Sequence, residues 1–194
     1  MNKERRLFFL TGSAALALGL VISYSKPQSQ NEILITESPT SITTSVEVIS
    51  SDELENNMIQ KINLARTEMG LLPLTFDPDL AKVAKIRSIE SATSTPLTHY
   101  DQEGSLIFTQ LLGKVQYPYA LVGENLARCS PPAESAVDRC FEALMDSSEH
   151  RANILEPTFS RVAIGFTTDL NGLEVFAQIF AQPPEEAYES SIGS

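Results

Sequence analysis

The sequence contains no tryptophan, only two histidines and only two cysteines, and basic residues are scarce beside acidic ones. Its 14 Lys and Arg residues stand against 25 Asp and Glu residues, so the formal net charge is −11. A surface this acidic repels phosphate backbones and anionic headgroups. The composition therefore argues against nucleic acid as a partner. No internal repeat is visible.

The first 25 residues have the pattern of an export segment. The basic stretch "MNKERR" precedes an uncharged apolar run over residues 7–24, which is typical of secretion signals. A small-x-small cleavage motif lies at 23–25. The run is long for a signal peptide and short for a spanning helix, so residues 1–25 are a signal peptide or a signal anchor. In both cases we expect a secreted or cell-surface protein that meets a membrane only through an uncleaved N-terminal segment.

Two polar segments flank the remaining chain. Residues 26–50 are rich in Ser and Thr with scattered Pro and Gln, which predicts a linker without regular structure. Residues 183–194 are also polar, which predicts a disordered tail. Residues 51–182 are therefore expected to form one domain, long enough to bury a stable core.

Hydrophobic periodicity within residues 51–182 predicts helices first and strands last. Five helices are expected. The first is capped by Ser51 or Asp52, and the others begin at Pro78, at Gly104, after Pro132 and at Ser148. The segments "RVAIGFTTDL" and "LEVFAQIFAQ" flank an Asn-Gly pair, which is a strong hairpin signal. Residues 120–129 are a further strand or extended segment. This order indicates an α+β fold in which helices pack on the faces of a small antiparallel sheet.

The two cysteines, Cys129 and Cys140, lie close together in the chain. Export to an oxidising compartment favours a disulfide between them. The bridge would close a loop of about 12 residues and stabilise the fold by roughly 3 kcal/mol on the chain-entropy model. In the alternative, Cys140 is a small core residue and Cys129 a free loop thiol.

Several motifs occur together in a specific order. They are "INLARTEMGLLPLTFDPDLAKVAKIRS", "LTHYDQEG", "VGENLA", "SSEHRANIL" and "VAIGFTTDLNGLEVFAQIFAQ". From about residue 54 to 182, the chain thereby resembles the CAP superfamily. This group contains the cysteine-rich secretory proteins, antigen 5 and the plant pathogenesis-related proteins of group one, and its bacterial members are often called SCP-like extracellular proteins. The resemblance implies an α-β-α sandwich with a cleft lined by two histidines and two acidic residues.

The resemblance also assigns the cleft residues. His99 matches the first histidine, Glu124 the acid of the Gly-Glu-Asn motif, and His150 the second histidine. Glu149 is a candidate for the second acid, although bacterial relatives commonly have glycine there. Neighbouring helical residues point about 100° apart, so Glu149 either joins the cleft or only favours the helix start electrostatically.

These residue types allow three kinds of site. Two neutral imidazoles and a carboxylate can hold a divalent ion such as zinc and leave a position open for water. His99, Glu124 and His150 are thus the candidate metal ligands, with Glu149 as a possible fourth, and the same three are the catalytic candidates. Without metal they could act as acid and base, or they could only bind each other and fix loops. No Ser-His-Asp order and no His-Glu-x-x-His helix is present.

Residues around the candidate site have simpler expected roles. Arg87 could pair with an acid of the domain, and Asn125 is expected to brace its loop. Arg151 and Asn153 are expected to tie their helix to its neighbours. Asp101 and Glu103 are expected to cap the helix that begins at Gly104.

The sequence thus predicts a secreted or surface-tethered bacterial CAP domain that acts as a binding or interaction module. Its partner would be a lipid, a cell-wall fragment or another protein. The alternative is a metal-assisted hydrolase of peptide or cell-wall bonds, with His99, Glu124 and His150 around the ion.

Overall fold

A computed structural model of the chain describes residues 6–7 and 49–185. The predictions for the export segment, for most of the linker and for most of the tail lie outside the described residues. Among the residues described, no helix is both long and apolar enough to cross a membrane.

The first two helices begin where side-chain caps are available. Helix α1 spans Ser51–Glu68, and the Ser50 hydroxyl accepts the main-chain N–H of Glu53. Helix α2 spans Pro78–Thr93, and Asp77 accepts the first free N–H groups of its opening turn. Such caps satisfy donors that have no partner within the helix. Both predicted helix starts are confirmed to within one residue.

The remaining helices are α3 (Ile107–Lys114), α4 (Ala133–Asp146) and α5 (Ser148–Ile154). Helix α3 begins three residues later than predicted, because a turn precedes it. Asp101 Oδ1 accepts the main-chain N–H groups of Glu103 and Ser105, and Gly104 adopts φ +79°. The prediction that Asp101 and Glu103 cap the helix was wrong, since the cap position is Leu106 and has no side-chain bond.

Five strands form one sheet: β1 (Arg6–Leu7), β2 (Thr75–Phe76), β3 (Leu121–Cys129), β4 (Arg161–Thr168) and β5 (Glu174–Gln182). Their order is β1-β3-β5-β4-β2. The three long strands pair antiparallel as predicted, and Gly172 (φ +77°) closes the expected β4–β5 hairpin. The two short edge strands pair parallel, so the sheet is mixed.

The central strand β5 shows how the layers are built, because its side chains alternate between the two sheet faces. Phe176 and Phe180 pack into a core cluster with α1, α4 and α5. Ile179 and Ala181 pack into a second cluster with α2 and α3. The predicted α-β-α sandwich is thereby confirmed. Helix α2 lies so close to β4 that a Cβ atom at Gly165 would be 2.0 Å from the Ala84 carbonyl oxygen.

Two cross-links position the layer that carries α4 and α5. A disulfide joins Cys129 at the end of β3 to Cys140 on α4, which confirms the predicted pair. The second cross-link is the guanidinium of Arg66, which is fully buried. It donates to four main-chain carbonyls between 2.8 and 3.3 Å away, on Leu72, Ile154, Glu156 and Phe159. Arg66 therefore fixes the connection that leads from α5 to β4.

Candidate functional site

Glu124 lies at the base of the candidate site. Strand alternation directs it to the same sheet face as Val122, which packs with α2 and α3. There Arg87 Nε donates to Glu124 Oε1 at 2.6 Å, and Arg87 Nη2 donates to Oε2 at 3.3 Å. The side chains of Arg87 and Glu124 are 1% and 0% exposed. Arg87 therefore does pair with an acid of the domain, and that acid is Glu124.

Arg87 also holds the loop that carries the first histidine. Its Nη2 donates to the carbonyl of Thr98 at 2.9 Å, and its Nη1 donates to Glu90 at 3.1 Å. Burial on its own lowers the pKa of Arg87, but the hydrogen bonds and charges of Glu124 and Glu90 outweigh burial and keep the pKa above its ordinary value. Arg87 is thus a permanent cation that orders both the acid and the loop.

His99 is bonded directly to the buried acid. Its Nδ1 lies 2.6 Å from Glu124 Oε2, and its main-chain carbonyl accepts the N–H of Ile107 at the start of α3. The side chain is 17% exposed. The imidazole is therefore held at both its ring and its backbone, with an accessible edge. The predicted association of His99 with Glu124 is present in the structure.

His150 approaches from the opposite helical layer. Its Nδ1 lies 2.8 Å from the Oγ of Ser147, the residue that caps α5. Burial lowers the pKa of His150, and the nearby charge of His99 lowers it further, while Glu149 opposes both. The charge of His99 therefore acts on His150 across the sheet. A lowered pKa leaves His150 neutral at neutral pH.

A buried amide network joins His150 to the strand that carries Glu124. Asn125 Nδ2 donates to the main-chain carbonyl of His150 at 3.1 Å and to Gln178 Oε1 at 3.0 Å. Asn153 Nδ2 donates to Asn125 Oδ1 at 2.9 Å and to the carbonyl of Glu124 at 3.3 Å. The bracing roles expected for Asn125 and Asn153 are confirmed. Adjacent residues of the Gly-Glu-Asn motif thus serve opposite faces of the sheet.

Gln178 was missed by the sequence analysis. It is fully buried on β5, beside its cross-strand partner Asn125. The available signal was a lone amide within the apolar strand "LEVFAQIFAQ", since a polar residue at a buried position has to find a partner.

The other candidates make local contacts. Glu149 Oε2 lies 3.4 Å from the Ser147 Oγ, a long distance for a hydroxyl hydrogen bond. Arg151 donates to the carbonyl of Met145 at 2.6 Å, which ties α5 to α4 as expected. The Asp101 carboxylate accepts the main-chain N–H of Ser105 within its own turn and a hydrogen bond from the Gln110 side chain at 2.7 Å.

The donors do not form the metal site that the sequence suggested. Within residues 6–7 and 49–185, no group of three or more His, Cys, Asp and Glu side chains has the arrangement needed to hold a metal ion. Both oxygens of Glu124 already bond to Arg87 or His99. Glu124 thus has three of its roughly four acceptor positions already used, which makes it a poor metal ligand.

An α-β-α sandwich with a histidine-bonded Gly-Glu-Asn acid on a long strand of its sheet defines the class of CAP-type domains. The family model "CAP: Cysteine-rich secretory protein family" matches residues 59–180. The chain belongs to this family, as the motif order predicted.

Relatives from bacteria share the sequence or the fold. The Bacillus subtilis protein YkwD is 29% identical over 112 residues, which are 58% of this chain and 42% of YkwD. An outer surface protein from Borrelia burgdorferi is 20% identical with a TM-score of 0.59. The match covers 70% of this chain and 97% of the Borrelia protein. A cysteine-rich secretory protein from Staphylococcus aureus (20% identity, TM-score 0.55) covers 71% of this chain and 40% of its own.

An extracellular protein with an SCP domain from Bacillus anthracis has 22% identity and a TM-score of 0.52, and covers 70% of this chain and 44% of its own. The chain therefore spans less than half of YkwD and of the Staphylococcus and Bacillus anthracis proteins. At these identities the solved structures establish a shared fold.

Proposed function

We propose that this protein is an extracellular or surface-tethered binding module of a bacterial cell envelope. The Cys129–Cys140 disulfide supports this location, because such bonds persist mainly in oxidising compartments. The related proteins described as extracellular or outer surface proteins support it as well.

One observation carries the binding role: His99 and His150 each keep one ring nitrogen free for a ligand. Their Nδ1 atoms contact Glu124 and Ser147. Neither Nε2 atom has a hydrogen-bond partner in the described part of the chain, and neither is buried. The rings are thus held by the protein at Nδ1 and keep Nε2 for a ligand, which is what a preorganised recognition site requires.

The fixed base of the site favours binding over hydrolysis. A hydrolase that used Glu124 as a metal ligand or general base would need a free carboxylate oxygen in reach of the ion or the water. Here three hydrogen bonds from Arg87 and His99 use three of the roughly four acceptor positions of the carboxylate, which leaves little capacity for either role. The proposed ligand is accordingly a polar group on a lipid, a cell-wall fragment or a protein.

Titration of the purified protein with candidate ligands tests this role. The probes are cell-wall fragments, zwitterionic lipid vesicles and a peptide library. Calorimetry measures binding in every variant, and the NMR signals of the two imidazoles locate it in the unmodified protein. We expect one probe class to shift both rings, and we expect the His99→Gln/His150→Gln variant to lose that binding. The exposed Lys82→Gln variant is the matched control. Binding that persists unchanged in the double variant would place the ligand elsewhere and overturn the proposal.

A further inference from the structure

The two imidazoles differ in the partner of their Nδ1 atoms. His99 Nδ1 faces a carboxylate oxygen of Glu124 at 2.6 Å, whereas His150 Nδ1 faces the hydroxyl of Ser147 at 2.8 Å. A carboxylate only accepts hydrogen bonds, but a hydroxyl both donates and accepts them. A neutral imidazole carries a single N–H, and the partner of one nitrogen decides which nitrogen carries it.

The position of the proton on His99 follows from Glu124. The carboxylate is paired with Arg87 and accepts from His99. The Nδ1 atom of His99 therefore carries the hydrogen. In the neutral ring the Nε2 atom then has a lone pair, so the accessible edge of His99 is an acceptor.

The position of the proton on His150 follows from Ser147. The Ser147 oxygen already accepts the main-chain N–H of His150 as the cap of α5, and its single proton goes to the best acceptor nearby. Glu149 Oε2 lies 3.4 Å away, and His150 Nδ1 lies at 2.8 Å. Hydroxyl bonds are normally about 2.5–3.0 Å long, so the hydroxyl donates to Nδ1. The neutral ring then carries its hydrogen at Nε2.

We propose that Ser147 fixes His150 in the Nε2–H form, so that the cleft offers one hydrogen-bond donor from His150 and one acceptor from His99. This inference rests on the proposed binding function and specifies its ligand. A group that both donates and accepts without charge matches this pair. An amide carries its donor and its acceptor on two different atoms, so one amide can meet both rings. A carboxylate offers only acceptors, and a metal ion needs lone pairs from both rings.

A single substitution distinguishes the Nε2–H form of His150 from the Nδ1–H form. Aspartate is as good a helix cap as serine, so Ser147→Asp keeps the start of α5. Its carboxylate accepts only, which moves the proton of His150 to Nδ1 and leaves lone pairs at both Nε2 atoms. Ser148→Asp adds the same charge one residue further on, at an exposed position, and is the matched control.

The ring protons are read directly by ¹⁵N NMR. The chain has only two histidines, so the spectrum holds two imidazoles, and His99→Gln and His150→Gln assign them. Well above the ordinary histidine pKa, we expect Nδ1–H at His99 and Nε2–H at His150. Ser147→Asp should convert His150 to Nδ1–H, and Ser148→Asp should not. An Nδ1–H ring at His150 in the unmodified protein would overturn the inference.

The ligand class is tested with acetamide and acetate, which share a shape and differ in their donors. We expect acetamide to shift both ring signals more than acetate does. In Ser147→Asp this preference should disappear, and zinc should bind about tenfold tighter than in the unmodified protein. A preference for acetate, or zinc affinity indifferent to Ser147→Asp, contradicts the inference. A cleft that shifts with neither probe overturns the ligand class together with the binding role. The ring spectrum alone decides the tautomer, so the two failures are distinguishable.

Discussion

Arg87 on α2 and Glu124 on β3 form a two-point ion pair inside the interface between helix and sheet. The Nε–Oε1 distance is 2.6 Å, and both side chains are almost completely buried. Removing one member of such a pair leaves an uncompensated charge in the interior, whereas replacing both members with apolar groups is far less harmful. The pair therefore makes the base of the site dependent on both residues at once.

We expect Arg87→Met to lower the free energy of unfolding by about 3–5 kcal/mol, because it leaves the buried Glu124 carboxylate without its cationic partner. The double variant Arg87→Met/Glu124→Met should be more stable than this single variant. Urea denaturation measures both. Lys82→Gln, which removes the exposed pair between Lys82 and Asp79, should change stability by less than about 1 kcal/mol. A double variant less stable than Arg87→Met would contradict the argument.

The lowered pKa of His150 predicts a dependence of stability on pH. In the unfolded chain His150 takes up a proton near its ordinary pKa of 6.5, while the folded protein resists protonation to lower pH. The unfolded state therefore binds more protons, and stability falls as pH decreases from about 6.5 towards the folded-state pKa. Urea midpoints measured across this range should show a smaller decline in His150→Gln. Identical slopes in the two proteins would show that His150 is not the group responsible.

The disulfide should contribute substantially to stability. It closes a loop of about 12 residues, for which the chain-entropy model gives roughly 3 kcal/mol. We expect Cys129→Ala/Cys140→Ala to lower the free energy of unfolding by about 2–4 kcal/mol. Reductant should destabilise the unmodified protein by a similar amount and leave the double variant unchanged, which serves as the internal control. A double variant as stable as its parent would refute the expectation.

Arg66→Lys should destabilise the fold and disturb the site at a distance. The ammonium of lysine cannot reproduce the fork that reaches four carbonyls. We expect a loss of about 3 kcal/mol, since bonds from charged donors each contribute appreciably. The NMR signals of His150 should also shift, because one of these carbonyls belongs to Ile154 on α5. Arg151→Lys, on the same helix but exposed and with a single carbonyl bond, should change both measurements little.

Sequence patterns predicted the elements whose signals are local. Asp77 followed by proline marks a helix start through its own hydrogen bonds, and Asn171-Gly172 marks a hairpin because glycine tolerates the required backbone conformation. The same holds for the order of motifs that predicted the family, which the matching family model confirms. Those predictions depend on residues adjacent in the chain or on a recognisable motif.

Features that depend on distant partners could not be predicted in this way. Two-residue strands such as Thr75–Phe76 are too short to show a period. The burial of Arg66 depends on carbonyls up to 93 residues away. The Glu124 carboxylate is bonded to Arg87. The sequence predicted that Arg87 pairs with an acid but did not identify which one. The hydrogen bonds that already occupy Glu124 were therefore not foreseen when it was chosen as a candidate metal ligand.

The opposite orientations of Glu124 and Asn125 make the site sensitive to strand register. Along β3 each residue faces the layer opposite to that of its neighbour, so a slip by one position exchanges every side chain between the two faces. A single-residue deletion between Leu121 and Glu124 would turn the acid towards α5 and the amide towards Arg87. A change in loop length leaves this alternation intact, whereas an insertion or deletion within β3 would separate Glu124 from Arg87 and His99 even where the sandwich still folds.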